Sequence, residues 1–368
     1  MKEKFKNNPL IFINITIFLF LLIVFPLIFL IQEDKLIDKA ERRYLTQFPK
    51  FEEIKSFSED FEDYTLDQFP FRYQFRQLKS IFNYYIFNKT ENDNIVLQEN
   101  IAIKLTPNFN YDKVITTLNK LNKIQKQYFL KNNCYFVLIP DKSCYNITQN
   151  NINCDYLKTF NLINKNTNME CINIFDELEL NDYYKTDSHW QQHLILDVSN
   201  KILKNMNIET KDIAYKQNIV NDFDGVYISQ TALPLKSENI TYLTNEIINN
   251  AKVYNFETNK ETPVYDLDKL SDEKSLDKYD IYLSGSSALL KITNEKQTNG
   301  KSLIIFRDSF GSSITPLFIE YYTNIYLVDL RYLSSSYISK YIDIKEEDTI
   351  LFMYSTTLME IPENFKIQ

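Results

Sequence analysis

The sequence predicts an α/β domain with a mainly parallel sheet, carried behind a single N-terminal transmembrane helix. Two patterns predict it. From residue 134 onward, short continuous apolar runs alternate with helix-like stretches, as strands buried on both faces alternate with crossover helices. Ahead of them, residues 10–31, LIFINITIFLFLLIVFPLIFLI, are apolar except for Asn14 and Thr16.

The apolar run is long enough to cross a bilayer core of about 30 Å at about 1.5 Å per helical residue. A cleaved signal peptide has a core of roughly 7–15 apolar residues and a small-residue cleavage site. Here QEDKLID follows, with no Ala-x-Ala, so an uncleaved anchor is expected. Lys2, Lys4 and Lys6 precede the run, and Lys35, Lys39, Arg42 and Arg43 follow it. That near tie leans to a short cytoplasmic tail (1–9), an anchor (10–31) and a domain outside. Residues 32–93, charged and aromatic with helical stretches such as YQFRQLKSIFNYYIF, read as a stalk or docking segment. The α/β domain then spans 94–368.

Within the domain, NIVLQENIAIKL (94–105) reads as a hairpin. Val114, Leu118, Leu121 and Tyr128 form the stripe of an amphipathic helix. CYFVLIP (134–140) and CINIF (171–175) read as strands. A helix is expected after Ser188, which has Gln191 three places on as in a capping box, with Leu194, Val198 and Ile202 as its core face. Residues 207–278 look like an irregular insertion. The strand pattern resumes with YDIYLSG (279–285), KSLIIF (301–306), NIYLVDL (324–330) and DTILFMY (348–354), with a helix SITPLFIEYY after the second of these.

Composition removes several function classes. With 49 acidic and 41 basic residues, net charge −8, the composition argues against a nucleic-acid binder, which would need a clustered basic face. At 44% hydrophobic and 15% aromatic, it is not globally disordered. Cys134, Cys144, Cys154 and Cys171 contain no C-x2-C pair, which argues against a zinc knuckle. They read as buried thiols or as a Cys144–Cys154 disulfide closing a loop.

Candidate chemistry concentrates in two places. YYKTDSHWQQH (183–193) holds the only tryptophan and both histidines of the chain. In extended geometry Asp187 and His189 lie on one side of the backbone, so the carboxylate reaches the imidazole Nδ1 and leaves Nε2 free. A nearby helix N-terminus would keep that ring neutral. In LIIF-RDSFGSS, a strand runs into a turn and a helix, which puts Ser309 at the carboxyl edge of the sheet, where sites of open α/β sheets form. The bland reading is an ordinary turn with Asp308 and Ser309 as caps. Gly285 and Gly311 are two of only four glycines and follow strand ends, where backbone N–H groups approach a ligand closely. His189, His193 and Asp197 would share one helix face as metal ligands, but Trp190 stands where a zinc protease motif has Glu. No metal is expected.

YYKTDSHW, RDSFGSSITPLF and VDLRY together resemble the DHHW proteins, bacterial relatives of the SGNH-type alginate O-acetylation proteins. ERRYLTQFPKF, DQFPFR, YFVLIPDKS, FDGVY and YLSGSSALLKI are similar to further segments in the same order, so the resemblance runs from about residue 41 to 355. It implies a three-layer α/β/α SGNH hydrolase-like fold with Asp-x-His before Ser. By the match, Ser309 is the nucleophile, His189 the base and Asp187 the acid. Gly285, Ser286, Phe310 and Gly311 are the implied oxyanion or substrate residues. Arg307, in place of the family's Lys, would hold an acidic substrate or stabilise the turn. Ser188 replaces the motif's second His, and Gly285–Ser286 stands where SGNH enzymes offer Gly and Asn. The implied activity is acetyl transfer to, or acetyl-ester cleavage from, a cell-surface polysaccharide or cell-wall glycan. No cofactor is implied, and the implied partner is a membrane-bound O-acyltransferase. The alternative is an inactive polysaccharide-binding or scaffold protein.

Overall fold

The structure, a computed structural model, describes residues 9–50, 54–89, 91–145, 154–272 and 274–367. The chain divides into two compact units, Met1–Asn88 and Lys89–Gln368.

The first unit begins with helix α1 (Pro9–Ile31), whose apolar side chains are largely exposed. Its stretch Leu10–Ile31 has a mean hydropathy of 2.9, and it is long and apolar enough to cross a membrane. Helices α2 (Ile54–Asp67) and α3 (Arg72–Ile81) follow. ERRYLTQFPKF and DQFPFR meet here. Asp67 accepts both terminal nitrogens of Arg43 at 2.8 and 2.5 Å and the backbone N–H of Thr46 at 2.9 Å. Glu41 pairs with Arg43, Arg72 and Arg76. Burial alone would raise the Glu41 carboxyl, but hydrogen bonds from Arg72 and Arg43 outweigh it and hold the group at about 2.

The second unit is built on an eight-stranded sheet. In chain order its strands are β1 (Asn133–Ile139), β2 (Glu170–Ile172), β3 (Lys252–Asn255), β4 (Lys260–Thr262), β5 (Leu289–Thr293), β6 (Ser302–Arg307), β7 (Asn324–Val328) and β8 (Thr349–Ser355). The spatial order is β4-β3-β5-β7-β6-β8-β1-β2. From β7 to β2 every pairing is parallel, while β5, β3 and β4 add an antiparallel edge.

Alternation along the central strands sends side chains to two faces. Val137, Leu303 and Leu351 share a core with Val198, Ile202 and Leu203 of helix α5 (Leu196–Asn205). Phe136, Ile304 and Phe352 face Val114, Leu118 and Leu121 of helix α4 (Tyr111–Tyr128). Helices therefore cover both faces, giving three α/β/α layers. The continuous apolar runs read from the sequence are the strands enclosed in this way.

Four expectations change. Residues 279–285 form a tight turn, Lys278–Ile281, and left-handed backbone at Leu283 and Ser284 breaks any extension; β5 lies just beyond. The stretch 207–278 carries a twisted hairpin, Lys216–Phe223 with Glu238–Thr244, besides β3 and β4. The helix expected after Ser188 begins only at Leu196, because residues 183–190 are held in a hairpin; Leu194 is exposed rather than core. SITPLFIEYY is helical from Phe310, first as α6 (Phe310–Ile314) and then as tighter turns over Thr315–Tyr321. The cysteines are free thiols, with Cys144 hydrogen-bonded to Cys154 and so pushed well up.

Candidate active site

Residues 183–190 double back on themselves. Tyr183 pairs with Trp190 across the hairpin, and the Tyr184 N–H donates to His189 O at 3.0 Å. At its tip, Asp187 Oδ1 accepts the His189 backbone N–H at 3.1 Å and faces His189 Nδ1 at 2.6 Å. His189 Nε2 lies 2.7 Å from Ser309 Oγ, across 120 residues of sequence. With Nδ1–H directed at the carboxylate, Nε2 keeps its lone pair for the serine proton. The Asp187 side chain is 1% exposed and that of His189 12%, so the row opens to solvent at the serine end.

Several residues not singled out from sequence hold this row. Asp187 Oδ2 accepts the Val226 N–H at 2.8 Å. The approach is possible because the preceding residue is Gly225, where a Cβ would sit 2.1 Å from the Thr186 carbonyl carbon. Glu238 accepts the N–H groups of Lys185 and Thr186 at 2.7 and 2.6 Å. The imidazole lies between two rings: Tyr279 stacks on it at 4.0 Å and 13°, and Phe310 is tilted at 5.0 Å. Tyr279 Oη and Trp190 Nε1 both donate to Ser313 Oγ, at 2.8 and 2.9 Å, which ties the hairpin to α6. The helix argument for a neutral His189 lapses, since no helix starts there. So does the shared helix face of His189, His193 and Asp197, which would need helix from 189 onward.

Ser309 follows β6, the strand flanked in parallel by β7 and β8, and stands at the start of α6 with ordinary helical backbone and no capping hydrogen bond from its side chain. The bland reading of Asp308 as a cap also holds: it accepts the N–H groups of Phe310 at 3.0 Å and Ser355 at 2.8 Å. Most expected oxyanion donors are thereby engaged. The Phe310 N–H goes to Asp308 Oδ1, the Gly311 N–H to Asp308 O at 3.1 Å, and the Gly285 N–H to Tyr282 O at 3.1 Å. Gly285 packs on the Asp280 side chain, and neither it nor Ser286 belongs to the cavity at Ser309. Gly311 is needed for packing, since a Cβ there would lie 2.7 Å from Arg307 Cβ. Arg307 is buried and donates to Ser312 Oγ at 3.0 Å and Asp308 O at 3.3 Å, so it stabilises the turn. The Ser309 N–H has no hydrogen-bond partner among the described residues.

A cavity of about 320 Å³ opens at Ser309. Its walls come from the carboxyl ends of four parallel strands: Asp141 and Lys142 after β1, Ser309 after β6, Arg331 after β7, and Ser355 and Thr357 at β8. Burial pushes the Asp141 carboxyl up, against hydrogen bonds from Thr356 and Thr357. Burial also brings the Lys142 ammonium down to about 7, against the pull of Asp187 and Glu238.

No family model and no curated protein sequence matches the chain. Solved structures do. A DHHW family protein from Eubacterium siraeum superposes with a TM-score of 0.61 at 19% identity, over 74% of this chain and 95% of that one. Bacillus cereus PatB1 superposes at 0.58 and 18% identity, over 72% and 96%. PatB1 with a sulfonyl adduct gives 0.55 at 18%, over 72% and 97%. At these identities what is shared is the fold. The chain thus shares the fold of a DHHW family protein and of PatB1, in agreement with the resemblance carried by its own motifs.

Proposed function

We propose that the protein is a membrane-anchored serine acyltransferase or esterase that moves acetyl groups to or from a cell-surface polysaccharide, with its α/β domain outside the cytoplasm. The single observation that carries this reading is the row Ser309 Oγ–His189 Nε2–Nδ1–Asp187, with links of 2.7 and 2.6 Å. In the reaction, His189 Nε2 removes the Ser309 proton while Oγ bonds to the acetyl carbonyl carbon. The Ser309 N–H donates to the oxyanion that develops. Collapse expels the donor's alkoxide, which takes the proton from His189 and leaves acetyl-Ser309. A sugar hydroxyl or water then attacks, and its proton passes through His189 back to Ser309. Asp187 holds the imidazole in the required tautomer and stabilises its charged form. Transfer is favoured over hydrolysis by the membrane anchor and by the resemblance, which also supplies a membrane-bound O-acyltransferase as the upstream partner.

The engaged N–H groups of Gly285, Phe310 and Gly311 favour a second reading, a non-catalytic glycan-binding or scaffold protein. One experiment separates the two. Full-length protein in detergent micelles is given p-nitrophenyl acetate, and its rate is compared with that of Ser309→Ala. The catalytic reading expects the variant to lose the activity; equal rates would leave the scaffold.

A further inference from the structure

The Ser309 row accounts for only one wall of the cavity. The cavity is lined by three basic side chains, Lys104, Lys142 and Arg331, and two carboxyl groups, Asp141 and Asp308. Both carboxylates accept hydrogen bonds from within the protein. Asp141 Oδ2 takes the hydroxyls of Thr356 and Thr357 and the Thr357 N–H, and Asp308 takes the Phe310 and Ser355 N–H groups. Lys104 Nζ is turned to Asp93 O.

Lys142 and Arg331 keep donors unused closer to the strand ends. Lys142 is 2% exposed, yet its ammonium has a single oxygen partner among the described residues, Tyr184 O at 2.9 Å, with the Tyr227 ring 4.7 Å away. An ammonium carries three donors, and a buried one lacking acceptors is costly. Arg331 uses Nε and Nη2 on buried Asp329, at 2.9 and 2.6 Å, while Nη1 has no partner among the described residues. Beside Ser309 the cavity therefore offers unused donors on Lys142 and Arg331, while Asp308 and Asp141 Oδ2 are already engaged.

We propose that Lys142 and Arg331 form the acyl-acceptor subsite, holding an anionic group, carboxylate or phosphate, of the molecule whose hydroxyl receives the acyl group from Ser309. This rests on the catalytic reading of Ser309. The acceptor hydroxyl oxygen bonds to the carbonyl carbon of acetyl-Ser309 and yields its proton to His189 Nε2. The bond from that carbon to Oγ breaks, and the proton returns to Ser309.

The test uses the full chain in detergent micelles with p-nitrophenyl acetate as acyl donor. Three acceptors of similar size compete with water: methyl glucoside, methyl glucuronide and methyl glucoside 6-phosphate. The acetylated product is measured by mass spectrometry. A charge-assisted contact predicts that at least one charged acceptor exceeds the neutral one by about tenfold or more in kcat/KM. The two charged arms tell carboxylate from phosphate. Lys142→Met should lower transfer to that acceptor about tenfold more than it lowers hydrolysis, with Lys142→Arg partly restoring it. Equal use of neutral and charged acceptors by the wild type would overturn the proposal. So would Lys142→Met reducing transfer and hydrolysis in parallel, which is the signature of a mere tie to the hairpin at Tyr184. If Lys142→Met does not fold, the wild-type preference decides alone. A Ser309→Ala enzyme as active as wild type would instead sink the catalytic reading.

Discussion

The Asp187 carboxylate is oriented by the backbone N–H of Val226, 2.8 Å from Oδ2, so the acid of the row is held by a segment 39 residues further along. The bond depends on Gly225, which packs against the Thr186–Asp187 backbone where a Cβ has no room. Gly225→Ala is expected to destabilise the domain by about 1–3 kcal/mol, the range for overpacking a tight site. It should also lower esterase kcat beyond what the loss of folded protein explains. Thermal melts and kinetics on the folded fraction check this together.

Asp187→Asn should leave the fold intact and cost activity on the order of 10³–10⁴-fold, because an amide can present its N–H to Nδ1 and so stabilise the wrong tautomer. A near-unchanged kcat with p-nitrophenyl acetate would show that the carboxylate plays no part in base catalysis.

Tyr279 stacks on the imidazole that Phe310 flanks from a tilted approach. Tyr279→Leu removes the stacked face and the hydrogen bond to Ser313. Losing an aromatic contact worth about 0.5–1.5 kcal/mol predicts a kcat lowered roughly 2–10-fold, with KM little changed. Steady-state kinetics give the split.

The arginine clamp of the first unit should be sensitive to acid. Glu41 is held at about 2, below its ordinary 4.5. A carboxyl whose folded value is depressed contributes stability above its unfolded value and loses that contribution as pH falls through the folded one. Protection of the 41–76 backbone from hydrogen exchange is therefore expected to be steady above about pH 4.5 and to fall between there and about pH 2. Glu41→Gln should show weakened protection already at neutral pH.

Much of the chemistry was legible in the chain because it is local. Asp187 and His189 are two residues apart, and Ser309 lies in the turn just after an apolar strand, so spacing and pattern suffice to nominate them. The strand patterns at 134–140 and 301–306 were equally plain, since a strand buried on both faces has no polar alternation to obscure it. What escaped is non-local. Glu238 reaches the hairpin from a stretch read as irregular, because its strand alternates with exposed polar residues and pairs only with its own hairpin partner. Tyr279 sits on a turn that resembles a strand by composition. The capping-box spacing at Ser188 and Gln191 misled because tertiary contacts outweigh a local helix signal: Trp190 must reach Ser313, and Gln192 is buried with its side chain on Ser313 O at 2.6 Å. Gly285 looked like an oxyanion donor by position, yet its N–H closes a turn on Tyr282.

Covalent labelling of the full-length protein probes the central geometry most directly. Micelle-solubilised protein is treated with phenylmethanesulfonyl fluoride, digested, and the modified peptide located by mass spectrometry. The account predicts one sulfonyl group on Ser309, absent from Ser309→Ala and much slowed in His189→Ala. A Ser309 peptide that stays unmodified while the protein is folded, or labelling that is indifferent to His189, would contradict it.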